Sequence, residues 1–156
     1  MFNFMRYYFL QEDLDDLDAR ISELKKKVVE AQKDKHLATT QTSETWHDNY
    51  GFEEGVRQIN FLADNIEKLL VIKNKAAIIN PAKNNQVNIG STVIFKDETG
   101  KESEIKIGSY LIVSQKKNYV SYESPLGKIL LGAKAGEKKK GMLGDKDKEF
   151  YIVKID

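Results

Sequence analysis

Apolar positions in the first half of the chain recur at alternating steps of three and four. Leu14, Leu17, Ile21, Leu24, Val28 and Ala31 form one such series, with polar residues such as Glu23 and Lys25-Lys26-Lys27 between them. This is a heptad seam, and it predicts a long helix from about Phe9 to Lys35. A hydroxyl-rich stretch, Thr39-Thr40-Gln41-Thr42-Ser43, is poor helix material and predicts a break. A second series follows, Phe52, Val56, Ile59, Ala63, Ile66 and Leu70, spaced 4-3-4-3-4. Two matched seams joined by a short polar segment predict an antiparallel helical hairpin. At about 1.5 Å per residue, arms of some 25 residues reach roughly 38 Å, so the turn is carried far from the open end. Phe2, Phe4, Tyr7, Tyr8 and Phe9 are placed to cap that end.

The period changes after Ala77-Ile78-Ile79-Asn80. Residues 81–86 (Pro81-Ala82-Lys83-Asn84-Asn85-Gln86) read as a linker. From Val87 the chain alternates short apolar runs with turns. Thr92–Phe95, Glu104–Ile107, Tyr110–Val113, Tyr119–Tyr122 and Phe150–Ile155 are the expected strands, and Asp97-Glu98-Thr99-Gly100 is a turn. Residues 124–132 predict one short helix with Pro125 in its first turn. Lys138-Lys139-Lys140, beside Gly141, reads as a solvated loop. The expected class is α+β: a helical hairpin over 1–80, a linker at 81–86, and an antiparallel β domain with a short helix over 87–156.

Composition narrows the function. Hydrophobic residues make up 40% and charged residues 31%, which suits a folded chain. With no cysteine there are no disulfides or thiolate metal sites. Met1–Leu10 is too short to span a bilayer, and Arg6 interrupts it, so no membrane role is expected. The net charge of +1 excludes a general polyanion binder, but the charge is uneven. Residues 1–82 carry 11 basic and 14 acidic side chains, and residues 83–156 carry 14 and 10. No Lys or Arg occurs from Leu37 to Val56, where Glu44, Asp48, Glu53 and Glu54 stand. The expected hairpin tip is therefore acidic and has no Lys or Arg within the stretch. Solvated turn residues are the plainer reading of the same carboxylates. Trp46 and His47 lie between Glu44 and Asp48. A turn Trp packs on a neighbour or stacks on a base, and a lone His is more often a bystander than a base.

Through the segments 87–93 and 124–132, Gly136 and the closing strand Phe150–Ile155, the chain resembles the bacterial transcription elongation factors of the GreA/GreB family over nearly its whole length. Val87-Asn88-Ile89-Gly90-Ser91-Thr92-Val93 looks like the family's C-terminal domain start. Ser124-Pro125-Leu126-Gly127-Lys128-Ile129-Leu130-Leu131-Gly132 looks like its Ser-Pro segment, and Gly136 and the closing strand fall where the family has them. Aligned through Ala77–Asn80, Thr45-Trp46-His47-Asp48-Asn49 falls on the family's tip motif Asp-Leu-Ser-Glu-Asn. Thr45 replaces the first tip aspartate, and Glu44 stands one residue before it.

The resemblance implies an FKBP-like second domain and a cytoplasmic, monomeric protein that binds RNA polymerase. The hairpin would enter the secondary channel and approach the 3′ end of the nascent RNA. There Asp48 and Glu44 would share a Mg²⁺ with the polymerase, so that the polymerase cleaves backtracked RNA and the factor is not itself an enzyme. Trp46, His47 and Asn49 would be tip contacts. Lys25, Lys26, Lys27, Lys33 and Lys35 would lie beside the RNA, or form a solvated face balanced by Glu23, Glu30 and Asp34. Ser124, Pro125, Leu126 and Gly127 would dock on the polymerase. Three other readings stay open: a channel-binding modulator without cleavage, a coiled-coil adaptor, and a proline isomerase.

Overall fold

The computed structural model describes residues 6–41 and 50–156. In chain order the elements are β1 (Tyr7–Phe9), α1 (Gln11–Gln41), α2 (Tyr50–Asn74), β2 (Ala76–Ile78), β3 (Thr92–Lys96) and β4 (Glu102–Gly108). They continue with β5 (Tyr119–Ser121), α3 (Pro125–Leu130), β6 (Lys138–Leu143) and β7 (Lys146–Ile155). The chain divides into two compact units, Leu17–Asn74 and the residues up to Asp16 together with Lys75–Asp156. Residues 6–16, read in the sequence as part of the hairpin, therefore group with the β-rich unit, while Phe2 and Phe4, expected to cap the hairpin, lie outside the described residues.

Leu17–Asn74 is the helical hairpin. On α1 the seam lies where the heptad placed it, with Leu17, Ile21, Leu24 and Ala31 buried. The next step of the pattern is Lys35, whose stem lies in the seam and whose ammonium sits 4.5 Å from the centre of the Phe52 ring. Lys73 pairs with Asp18 at 2.6 Å. Low numbers on α1 thus meet high numbers on α2, so the arms are antiparallel. The seam on α2 corrects the expected one. Leu62 is buried and Ala63 exposed, so the series runs Phe52, Gly55, Ile59, Leu62, Ile66, Leu69. Both series share Phe52, Ile59 and Ile66. Of the expected series only Ala63 is exposed, while Val56 and Leu70 are half-buried beside the observed seam. A Cβ at Gly55 would stand 3.2 Å from the Cβ of Lys35, so the missing side chain permits close approach there. Helix α1 also runs past Lys35 to Gln41, through threonines expected to end it. Thr40 donates its hydroxyl to the Leu37 carbonyl at 3.0 Å, which keeps it within the helix.

In the other unit, β1 and β2 pair in parallel, Tyr7 opposite Ala76 and Phe9 opposite Ile78. Phe9 is therefore strand, not helix. Five strands form the main sheet in the order β5-β4-β3-β7-β6. Its pairs are antiparallel except β4 with β5. Val93, Phe95, Ile105, Ile107, Phe150 and Ile152 form the core with Leu130 from α3, and Leu10 joins them from the start of the chain. This is the expected α+β class, a helical hairpin with a β-sheet carrying one short helix. Two local expectations change. Tyr110–Val113 is not a strand: the Tyr110 amide donates to the Tyr8 carbonyl, and its ring stacks on Tyr7 at 3.9 Å. Lys138–Lys140 is not a loop but the start of β6, with the turn displaced to Gly144 and Asp145.

Candidate functional site

Glu44, Thr45, Trp46, His47, Asp48 and Asn49 lie outside the described residues. The helices that flank them end at Gln41 and begin at Tyr50. The other two acids of the Lys-free stretch are accounted for. Arg57 reaches Glu54 at 3.6 Å and Glu53 at 3.9 Å, one turn along α2.

The five lysines of α1 separate into two groups. Lys27 pairs with Glu23 at 2.8 Å, and Lys35 is occupied by Phe52. Lys25, Lys26 and Lys33 are exposed. Lys26 and Lys33 are seven residues apart and share a face of the helix. Exposed Val29 and Leu37 lie on the same outer side, so the patch is part apolar.

At the start of α3, Ser124 uses its hydroxyl twice. It accepts from the Gly127 amide at 3.0 Å and donates to the Ser121 carbonyl at 2.7 Å. This is an N-cap, with Pro125 in the first turn. Gly127 is buried, and a Cβ there would collide with the Ser121 carbonyl. It allows close packing and offers no surface, whereas Pro125 is exposed and Leu126 half-buried.

A cluster at the root of α1 escaped the sequence reading. Asp13 is 1% exposed and Ser109 is fully buried. Asp13 Oδ2 accepts from the Ser109 amide (3.1 Å) and hydroxyl (2.5 Å), and lies 3.0 Å from the Tyr119 hydroxyl. The Ser109 hydroxyl in turn accepts from the Leu10 amide at 2.8 Å. The Lys116 ammonium stands 3.5 Å from Asp13 Oδ1 and 3.0 Å from Asp16 Oδ2, and that of Lys106 stands 2.7 Å from Glu12. Hydrogen bonds from Lys106 and Tyr119 hold Glu12 below its ordinary pKa, and the Lys116 hydrogen bond does the same for Asp16. Burial and the hydrogen bond to Glu12 push Tyr119 up. The one sequence signal was an acid in the third position of a helix whose N-cap, Leu10, has no capping side chain.

Residues 82–156 match the family model described as the C-terminal part of the transcription elongation factors GreA/GreB. The chain is 32% identical over 133 residues to a transcription elongation factor GreA from Thermosipho melanesiensis, covering 84% of this chain and 80% of the relative. The chain belongs to the GreA/GreB family. A GreA from Thermosipho africanus is 28% identical over 131 residues, covering 83% of each. These alignments are longer than residues 82–156, so the likeness to GreA reaches into the hairpin. A crystal structure of the GreA factor homolog Gfh1 from Thermus thermophilus is 20% identical, with a TM-score of 0.46, over 97% of this chain and 99% of that one. As a GreA/GreB member the chain is a transcription elongation factor. Among the described residues, no helix is long and apolar enough to cross a membrane, and no group of three or more His, Cys, Asp or Glu is placed to hold a metal ion.

Proposed function

We propose that this elongation factor binds RNA polymerase and stimulates the polymerase's own Mg²⁺-dependent cleavage of backtracked RNA. Likeness to GreA over 84% of the chain, hairpin included, carries the reading. The Lys-free, acidic stretch of sequence that carries Glu44 and Asp48 supports it. Asp48 and Glu44 supply carboxylate oxygens to a Mg²⁺ that the polymerase also holds, with Asn49, His47 and Trp46 as neighbouring contacts. Bound there, the metal provides charge neutralisation at the phosphate and a reactive water. Few protein ligands are needed, because Mg²⁺ keeps several waters of its own. Lys25, Lys26 and Lys33 face the extruded RNA, and this attraction weakens as salt rises. Pro125 and Leu126 form part of the docking surface on the polymerase. The factor contributes ligands and position, not turnover of its own.

The test is RNA cleavage in a purified backtracked elongation complex, with wild type and Asp48→Ala. The expected result is stimulation by the wild type and its loss in the variant, while polymerase binding stays within about twofold. Loss of that kind, without a binding change, marks an interaction made at the reacting centre. Thr45 standing where the family has an aspartate favours a second reading, a channel-bound modulator. Slowed RNA synthesis with no cleavage by the wild type would select it.

A further inference from the structure

We infer, resting on the function proposed above, that a cluster of tyrosines next to the start of α3 extends the docking surface for RNA polymerase beyond Pro125 and Leu126. The cluster is Tyr7, Tyr8, Tyr110 and Tyr122, with Glu123 at its margin.

All of these residues belong to the β-rich unit. Tyr7 and Tyr8 come from β1, Tyr110 from the segment after β4, and Tyr122 from the turn that leads into α3. The Tyr7 and Tyr110 rings stack, with centres 3.9 Å apart and planes 21° from parallel. The Tyr8 ring centre lies 6.4 Å from that of Tyr122. Backbone groups fix these positions. The Tyr110 amide donates to the Tyr8 carbonyl at 3.0 Å, and the Tyr8 amide donates to the Tyr122 hydroxyl at 3.3 Å. Tyr122 is buried and Tyr7 and Tyr110 are half-buried, but Tyr8 is 43% exposed.

Ser121 joins the cluster to α3. Its hydroxyl donates to the Tyr110 carbonyl at 2.8 Å, and its carbonyl accepts from the Ser124 amide at 3.0 Å and hydroxyl at 2.7 Å. Pro125 therefore follows the tyrosines by one tight turn. Exposed Glu123 stands in that turn, 2.9 Å from Lys128. Burial raises the pKa of Tyr110 and of Tyr122, and the Glu123 carboxylate adds to the rise in both. The acid thus lies close to the rings.

Tyrosine offers a large contact area at a small entropic cost and is enriched among the residues that dominate interfaces. Rings already held by a stack and by backbone bonds cost less to order when a partner arrives. Exposure alone does not mark the place. Tyr151 on β7 is 42% exposed, but its cross-strand neighbours are Lys96 and Lys138. The chemistry of the cluster selects a protein surface: apolar side chains to cover Tyr8 and Pro125, and a cation for Glu123 and the ring faces. A phosphate chain would be repelled by Glu123.

The experiment titrates full-length wild type, Tyr8→Ala, Tyr8→Phe, Glu123→Lys and Tyr151→Ala against purified RNA polymerase free of nucleic acid, at low and high salt. Thermal unfolding of each variant checks the fold. Tyr8→Ala is expected to weaken binding by about 5- to 30-fold. Tyr8→Phe keeps the ring and stays within about twofold of wild type, as does Tyr151→Ala. Glu123→Lys weakens binding most at low salt, where charge repulsion is least screened. Unchanged affinity in a folded Tyr8→Ala, with the wild type binding, overturns the inference and leaves the proposed function standing. An equal loss in Tyr151→Ala overturns it too, because any exposed ring would then serve. So does an effect of Tyr8→Ala confined to RNA binding or to self-association, which assigns the cluster another occupant. If Tyr8→Ala does not fold, Glu123→Lys decides, and unaltered affinity at low salt is the overturning result. A wild type that does not bind polymerase removes the proposed function and the inference together.

Discussion

A serine hydroxyl can donate one hydrogen bond while accepting another, and two serines here depend on both. Ser124 links the Ser121 carbonyl to the Gly127 amide, and Ser109 links Asp13 to the Leu10 amide. The short helix that Ser124 precedes was legible in the sequence, because Pro125 marks its first turn, although Ser124 itself was expected to dock and not to cap. Ser109 was not legible, because its partners lie 96 and 99 residues away and no local pattern encodes such a distance. The same holds for Gly127, whose spacing suggests a motif but whose role depends on a carbonyl it packs against. Ser124→Ala is expected to cost about 1 kcal/mol. Gly127→Ala is expected to cost about 1–3 kcal/mol, because the added methyl has nowhere to go. Urea denaturation of both variants checks the order; an equal or smaller cost for Gly127→Ala would refute the close-packing account.

At the scale of elements, hydrophobic period was a sound guide to existence and a weaker one to phase. The α1 seam was read correctly because only one heptad phase offers large apolar residues. On α2, Leu62 and Ala63 are adjacent, and Val56 and Leu70, which belong to the expected series alone, are half-buried beside the observed one. Gly55 settles the matter only in three dimensions, where it meets Lys35. The two phases make opposite predictions. Leu62→Ala should destabilise the hairpin by about 2–5 kcal/mol, and Ala63→Ser should change it by no more than about 0.5 kcal/mol. Thermal unfolding of the two variants separates them, and a costly Ala63→Ser with a harmless Leu62→Ala would restore the other seam. The lysines of β6 misled for a different reason. An edge strand carries charge to discourage pairing with other chains, so Lys138 and Lys140 look like a loop in sequence. In the sheet they flank Glu149 at 3.2 and 3.1 Å.

For the whole molecule, the class and the two-part plan were legible, while the allegiance of residues 6–16 was not. Their aromatic character announced burial without saying against what; a strand pair with β2, the Leu10 side chain and the Asp13 cluster give the answer. The charges at that root tie folding to acidity. Glu12 and Asp16 have folded pKa values below their ordinary 4.5 and 3.8, owing first to Lys106 and Lys116 respectively. A depressed acid stabilises the fold above its unfolded pKa and loses that contribution as pH falls through the folded value. The melting temperature should therefore drop as pH is lowered from 4.5, and less steeply in Lys106→Gln and Lys116→Gln. Identical profiles for wild type and both variants would show that the root does not contribute.

The Ser109 link between Leu10 and Asp13 also has a consequence in time. A ribosome adds about 5–20 residues each second, so Ser109 follows Leu10 by about 5–20 seconds. Within that interval α1 and then α2 are made, so the seam between them has all its partners before Ser109 is added. Newborn chains thus possess the whole helical hairpin before they possess the serine that links Leu10 to Asp13 at the start of its first helix.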